Sequence, residues 1–337
     1  MGVVLLGTGV VGSAFLARLA RVRPRGIGGQ LRLVQVANSR RRVNAADGLD
    51  PAAVPTLLAG GRAQRLDSVA SALGASGIVV DATASEDVAS WHPRWLRSGL
   101  AVATANKLGI GGDVGRYRAI DAHADRYGPA ATVGAGLPLL RALARLRTGG
   151  DRIHGLAGVL SGSLAWLFDA YDGQGSFADL VRQARRLGYA EPDPRLDLSG
   201  VDVLRKLLIL ARRSGAVLSE ERVRVESLLP RRLARAGAEE VDAALAELDE
   251  PMARRYAQAA ARGRCLRYVA RLVDGRATVG LEELEPDDPL AGSGGCDNRV
   301  TIRSDRYPDR PLVIQGPGAG AEVTAAALLD DVLRLSQ

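Results

Sequence analysis

The sequence predicts an α/β chain: a doubly wound parallel sheet followed by a second, α+β region. Three observations predict it. Short apolar runs alternate with helical periodicity through roughly the first 140 residues, a glycine-rich turn joins the first run to the first helix, and later the alternation yields to longer helices and a late group of strands.

Taken in order, Val3-Val4-Leu5-Leu6 is a continuous apolar run, the pattern of a strand buried on both faces. Gly7-Thr8-Gly9-Val10-Val11-Gly12 follows, then helical periodicity over 13–23. A second strand is expected over 31–37, ending at Asn38-Ser39-Arg40, with others over 77–83, 100–104 and 130–133 and a helix over 114–127. Beyond these the expected elements are a strand at 153–160, a helix at 177–187, a Pro- and Asp-rich loop at 189–197 and a helix at 199–213. Helices rich in Ala, Arg and Glu continue to 262, strands are expected at 266–273, 277–284 and 300–303, and a glycine turn at 316–320 precedes a last helix at 321–335. The expected division is a first domain at 1–138, completed by 316–337, and a second at 139–315.

Composition narrows the function. With 337 residues, 47% of them hydrophobic, the chain can bury a full core, and no run reaches the roughly 18 apolar residues of a membrane span. No signal peptide is visible, and with only Cys265 and Cys296 a reduced, cytoplasmic protein is the simplest expectation. His92, His123 and His154 lie far apart, which leaves a zinc site without support. The net charge of +7 is carried by dispersed arginine pairs, so a solvated surface is expected and a nucleic-acid or membrane partner is not. Within the 45 Lys+Arg residues, lysine occurs only at Lys107 and Lys206. Arginine keeps its proton, whereas a lysine amine can cycle one, so these two positions are candidates for proton chemistry.

The glycine loop lies between a strand and a helix, the context in which GxGxxG indicates a Rossmann-type, dinucleotide-binding sheet. Gly7, Gly9 and Gly12 permit the turn and close approach, and the helix start at Val10 and Val11 offers free N–H groups to a pyrophosphate. Where an NAD site usually carries an acidic residue, the second strand ends in Asn38, Ser39 and Arg40; this suits a 2′-phosphate, so NADP is expected, with NAD as the alternative. Thr104-Ala105-Asn106-Lys107 places Lys107 at a strand's carboxyl end. Farther on, Pro192 and Pro194 stiffen the loop presenting Glu191, and Asp197 or Ser199 can cap the next helix. Asp202 and Lys206 stand four apart on that helix, about 6 Å between Cβ atoms. Such a pair is either a surface ion pair or, in a closed cleft, an oriented proton donor.

The segments 188–212, Val133-Gly134-Ala135-Gly136-Leu137-Pro138, Gly158-Val159-Leu160-Ser161-Gly162-Ser163 and 318–325 together resemble homoserine dehydrogenases, in that family's order. Ser161-Gly162-Ser163 and Val36-Ala37-Asn38-Ser39 are most similar to the dehydrogenase half of bifunctional aspartate kinase–homoserine dehydrogenases. No kinase half or regulatory domain is seen, so a monofunctional enzyme without threonine feedback is expected.

The resemblance implies NAD(P)-dependent interconversion of L-homoserine and L-aspartate 4-semialdehyde by a homodimer formed through the second region's sheet. Lys206 would be the proton donor, Asp202 would hold it, and Lys107 would serve cofactor and substrate. Glu191, Asp197, Gly162 and Ser163 would bind the amino-acid substrate, with Glu191 on its ammonium. Thr83 and Gly318 are implied as further cofactor contacts. Some relatives bind a monovalent cation such as sodium through carbonyls matching Val133, Ala135 and Leu137; here Ala130 stands where their glutamate would be, and Leu108 replaces the second lysine that many carry. The alternatives are another amino-acid or semialdehyde dehydrogenase, or a nucleotide-sensing homologue without catalysis.

Overall fold

The computed structural model describes residues 1–292 and 294–337 and divides into two compact units, Met1–Arg141 with Ala319–Gln337, and Ala142–Gly318. The first is built on seven strands: β1 Gly2–Leu6, β2 Arg32–Ala37, β3 Arg41–Asn44, β4 Arg62–Ala63, β5 Ile78–Asp81, β6 Ala101–Thr104 and β7 Tyr127–Gly128. They lie in the order β4-β3-β2-β1-β5-β6-β7. The five strands from β2 to β7 in that row are parallel, whereas β3 and β4 extend the sheet antiparallel. Leu5, Leu33, Ile78 and Val80 are wholly buried, which is why these strands read as unbroken apolar runs.

Strand order reverses direction at β1, between β2 on one side and β5 on the other, and such a switch point is where parallel sheets bind ligands. Register fixes what meets there. Leu6 pairs with Ala37 and with Asp81, and Asp81 with Thr104, so Gly7, Asn38, Ala82 and Ala105 leave the sheet at one level. The last helix, Ala321–Leu335, joins the core of this same unit: Ala325, Leu328, Leu329 and Val332 cluster with Phe15, Leu19, Leu33 and Ile78.

The strand expected over 130–133 does not form. Pro129 has no N–H for the ladder, so the edge strand stops at Gly128 and Ala130–Thr132 make one tight helical turn. The buried Asp331 carboxylate accepts the Ala130 N–H at 2.7 Å there. The expected helix over 114–127 is likewise shorter, Val114–Asp121.

The second unit carries a six-stranded sheet of β8 Ile153–Val159, β9 Val223–Val225, β10 Cys265–Val273, β11 Arg276–Leu284, β12 Asp297–Ser304 and β13 Tyr307–Pro317, in the order β13-β12-β8-β10-β11-β9. Its pairings are antiparallel except β11 with β9. Central β8 ends at Val159, so Leu160 and the serine turn after it emerge from the middle of the sheet. Helix Val201–Ser214 packs against β10 and β8, and Val203, Leu207 and Leu210, the apolar stripe visible in its sequence, are buried together with Leu204, Leu208 and Ile209.

Candidate active site

At the carboxyl edge of the first sheet the glycine loop is shaped by two opposite constraints. A Cβ on Gly12 would lie 1.9 Å from the Gly7 carbonyl oxygen, and one on Gly7, at φ +93°, would lie 2.7 Å from the Ala82 carbonyl oxygen. These glycines serve the fold. A Cβ on Gly9 would meet no atom within 4 Å, so no neighbour within the chain requires glycine there and the space beside it is open. Helix Val10–Val22 begins at Gly9 with no side-chain cap, which leaves its first-turn N–H groups and positive dipole end facing that space.

Beside the loop is a cavity of about 420 Å³, lined in part by Thr8, Ser13, Asn38, Arg40 and Arg41. The Asn38 side-chain oxygen accepts from the N–H groups of Arg40 (2.8 Å) and Arg41 (2.7 Å), which bends the chain from β2 back into β3. The guanidiniums of Arg41 and Arg42 are tied to the carbonyls of Ala59 and Ala63. Arg40 makes no side-chain hydrogen bond or ion pair among the described residues, so of the sequence cluster it is the cation available to a ligand. An uncapped helix start, an open glycine and a basic cavity are what a dinucleotide phosphate needs, so the residues present fit an NAD(P) cofactor.

Two further candidates lie along the same edge. Thr83 follows β5, with its hydroxyl donating to Asp81 Oδ1 at 2.7 Å. Lys107, half-buried, begins a short helical turn after β6, and the buried Asn106 beside it donates to the Ser85 carbonyl (2.9 Å) and to Thr83 Oγ1 (3.4 Å). Thr83 and the Lys107 turn are therefore one braced feature.

The second unit holds the other lysine. Lys206 is only 9% exposed, and its ammonium donates to the Leu160 carbonyl at 2.8 Å and pairs with Asp202 Oδ2 at 2.8 Å. The Asp202 side chain is 48% exposed, against 11% for that of Lys206. The four-residue spacing thus makes a pair whose cation is buried and whose carboxylate reaches solvent, not a surface ion pair.

Next to Leu160, Ser161 caps helix Gly162–Ala170 and shares a 2.9 Å hydrogen bond with Ser163. Ser163 donates to Asp197 Oδ1 at 2.6 Å, and Asp197 Oδ2 accepts the Glu191 N–H at 2.8 Å. Of the two expected caps only Ser199 serves helix Val201–Ser214, its Oγ accepting the Val201 N–H at 3.3 Å beside Gly200 at φ +77°, whereas Asp197 does not cap it. Asp197 instead braces the serine turn to the proline loop, while Asp193 caps the short helix Pro194–Leu198 and is held below the usual carboxylate range, chiefly by hydrogen bonds from Arg195. The Glu191 side chain is exposed. Gly162 runs against the Cys296 carbonyl, 3.0 Å from where a Cβ would stand, and Gly318 is a glycine because the Asn298 side chain fills its Cβ space.

At the turn of Val133, Ala135 and Leu137, Ala135 has φ +51° and the Leu137 carbonyl accepts the Leu139 N–H at 2.8 Å. The turn offers carbonyl oxygens, but Ala130 brings no carboxylate to it.

Sequence reasoning missed three participants: the Leu160 carbonyl, which has no side-chain signature, Asn106, and the buried Asp81 that holds Thr83. Only Asn106, adjoining Lys107, lay close enough to a candidate residue to be found.

A parallel sheet with an open glycine loop at its switch point is the architecture of dinucleotide-binding domains, and the same chain carries a buried lysine–carboxylate pair. Residues 7–131 match the sequence model of the homoserine dehydrogenase NAD-binding domain, and residues 138–333 that of homoserine dehydrogenase. The chain belongs to the homoserine dehydrogenase family. It is 40% identical to bifunctional aspartokinase/homoserine dehydrogenase 2 of Escherichia coli over 358 residues, covering 100% of this chain and 43% of that protein. It thus spans less than half the length of the bifunctional relatives. Against the homoserine dehydrogenase of Saccharomyces cerevisiae identity is 34%, covering 100% of this chain and 98% of the relative. A solved structure of a Candida auris protein of unknown function superposes with TM-score 0.91 at 35% identity, covering 99% and 98% of the two chains.

Proposed function

We propose that this chain interconverts L-homoserine and L-aspartate 4-semialdehyde, using NADP(H) in preference to NAD(H), as a step in amino-acid biosynthesis from aspartate. The observation that carries the reading is Lys206: a buried ammonium held by Asp202 and Leu160 beside the Ser163–Asp197–Glu191 brace. The first unit, with the C-terminal helix, serves as the cofactor domain, and residues 139–315 as the substrate, catalytic and dimerisation domain.

When bound, the reduced nicotinamide supplies a hydride to the aldehyde carbon. Negative charge then builds on the carbonyl oxygen. Lys206 donates one N–H to that oxygen, stabilises the charge and passes the proton across, leaving an amine; in homoserine oxidation the same amine takes the hydroxyl proton. Asp202 keeps the lysine aimed. Glu191, exposed on a loop that Asp197 fixes, pairs with the substrate ammonium, and the turn of Gly162 and Ser163 receives the substrate's polar end. Lys107 and Thr83 orient the bound groups at the sheet edge, Gly318 approaches the cofactor, and the helix start at Gly7–Gly12 with Val10 and Val11 holds the pyrophosphate. Asn38, Ser39 and Arg40 surround the 2′-phosphate, with Arg40 as its cation. No step is assigned to a monovalent cation at Val133, Ala135 and Leu137.

The working form is a cytoplasmic homodimer paired through the second unit's sheet; among the described residues no helix is long and apolar enough to cross a membrane. A homologue without catalysis would have no use for a buried Lys206 with its carboxylate partner.

Folded protein mixed with homoserine and NADP should reduce the cofactor, seen as nicotinamide absorbance, and should do so less efficiently with NAD. No reduction with either cofactor overturns the activity. Arg40→Ala should raise KM for NADP by about ten- to a hundredfold and leave KM for NAD within about twofold, since one charge-assisted contact contributes about 1.5–3 kcal/mol. Equal losses with both cofactors would remove Arg40 from the 2′-phosphate.

A further inference from the structure

Asp81 and His92 are completely buried in the first unit, and no step above uses the histidine. His92 Nε2 lies 3.0 Å from Asp81 Oδ2, and His92 Nδ1 lies 3.1 Å from the Tyr127 hydroxyl. One tautomer satisfies both contacts, Nε2–H donating to the carboxylate and Nδ1 accepting from the phenol. The chain of polar groups runs from the end of β5 to β7 beneath the carboxyl edge.

Each end of this chain meets one of the two turns at that edge. Asp81 Oδ1 accepts both the Thr83 N–H (2.9 Å) and the Thr83 hydroxyl (2.7 Å). At the other end the Lys107 turn rests on the imidazole and the phenol: a Cβ on Gly109 would lie 2.4 Å from Tyr127 Oη and 2.9 Å from His92 Nδ1. Asn106 closes the ring from above, donating to Thr83 Oγ1 and accepting the Leu108 N–H at 3.0 Å. Stability alone does not call for such an arrangement, because apolar side chains of similar volume generally serve a core as well or better. A satisfied buried polar network instead fixes one geometry.

We propose that His92 is a positioning residue: with Asp81 and Tyr127 it locks the Thr83 and Lys107 turns into one rigid edge before the nicotinamide arrives. The inference deepens the cofactor reading above and rests on it for its ligand, but the locking is a property of the protein alone.

The test therefore has a ligand-free arm. In hydrogen exchange on His92→Phe, amides of 104–111 should exchange about tenfold faster than in the parent, as expected when a buried hydrogen-bonding partner is lost. Amides of β1 and of helix Ala321–Leu335 should be unchanged. In the second arm, NADPH binding followed by its fluorescence should weaken about tenfold and kcat should fall, while KM for homoserine stays within about twofold. His92→Gln, which keeps a donor and an acceptor, should recover most of both effects. Unaltered exchange in 104–111, acceleration spread evenly over the unit, or a glutamine variant no better than phenylalanine would each overturn the proposal. A parent protein that fails to bind NADPH would overturn the cofactor reading and leave the exchange arm to decide this one.

Discussion

The Lys206 ammonium carries three N–H groups, and among the described residues two are spent, on Leu160 and Asp202, so one remains for a substrate oxygen. Lys206→Arg keeps the charge and gives up the transferable proton. The expected result is a kcat lower by about 10²–10⁴, the usual value of a positioned general acid, with NADP affinity within about twofold of the parent. Steady-state rates and a direct binding titration check this, and substantial turnover in the variant would displace Lys206 from its role. Much of this was legible because lysine is so scarce that each survivor draws attention, and because Asp202 follows helical spacing. What sequence could not supply was burial. The same i, i+4 pair describes a solvated surface, and the exposure of Lys206 set against Asp202 is what separates the readings. Asp197 was misread for a related reason: a carboxylate just before a helix ordinarily caps it, but Gly200 takes the left-handed position that starts this helix and frees Asp197 to bridge two loops.

Secondary elements show which glycines answer to the fold and which stand beside open space. Gly12→Ala would force a methyl onto the Gly7 carbonyl and should distort the loop, lowering the melting temperature as well as cofactor affinity. Gly9→Ala meets open space at φ −72° and should melt with the parent, yet bind NADP at least about tenfold more weakly. Unchanged binding in Gly9→Ala would place the pyrophosphate elsewhere. A second element-scale prediction concerns β8 and the β12–β13 turn, joined where Asp305 accepts the Arg152 N–H at 2.8 Å and pairs with His154 at 2.7 Å. These contacts hold the Asp305 carboxyl down at about 2, the Arg152 N–H contributing most. A depressed folded-state value means stabilisation that is present above the unfolded carboxylate range and lost as pH falls from about 4 toward 2. Asp305→Asn should therefore lower the melting temperature near neutrality and converge on the parent as pH falls toward about 2, which flattens the acid limb; a parallel curve would refute the linkage. Strand and helix positions followed apolar runs closely, whereas the run at 130–133 failed because Pro129 cannot donate to a ladder. Short, exposed β3, β4 and β9 carry too few buried side chains to show a period.

At the scale of the whole molecule the first unit is closed by residues more than 300 positions from its first strand. Sequence placed the last helix at 321–335, where the structure has it, and grouped it with the glycine-loop sheet. The physical reason is that its apolar face has a core to complete. Leu328 is fully buried there with Phe15, Leu19 and Leu33, while Arg21 and Glu322 pair at the surface at 3.1 Å. The exposed pair contributes little, so the helix is held by burial. Leu328→Ala should cost about 2–5 kcal/mol and lower the melting transition of this unit by about 5–15 °C. Because ligand that binds only the folded form stabilises by mass action, saturating NADP should recover part of the loss, about 2.7 kcal/mol at a hundred times Kd. Arg21→Ala should shift the transition by less than about 2 °C. Calorimetry with and without NADP measures all three. A Leu328→Ala transition close to the parent's would mean that the helix does not close this core, and the assignment of residues 319–337 to the cofactor unit would fall with it.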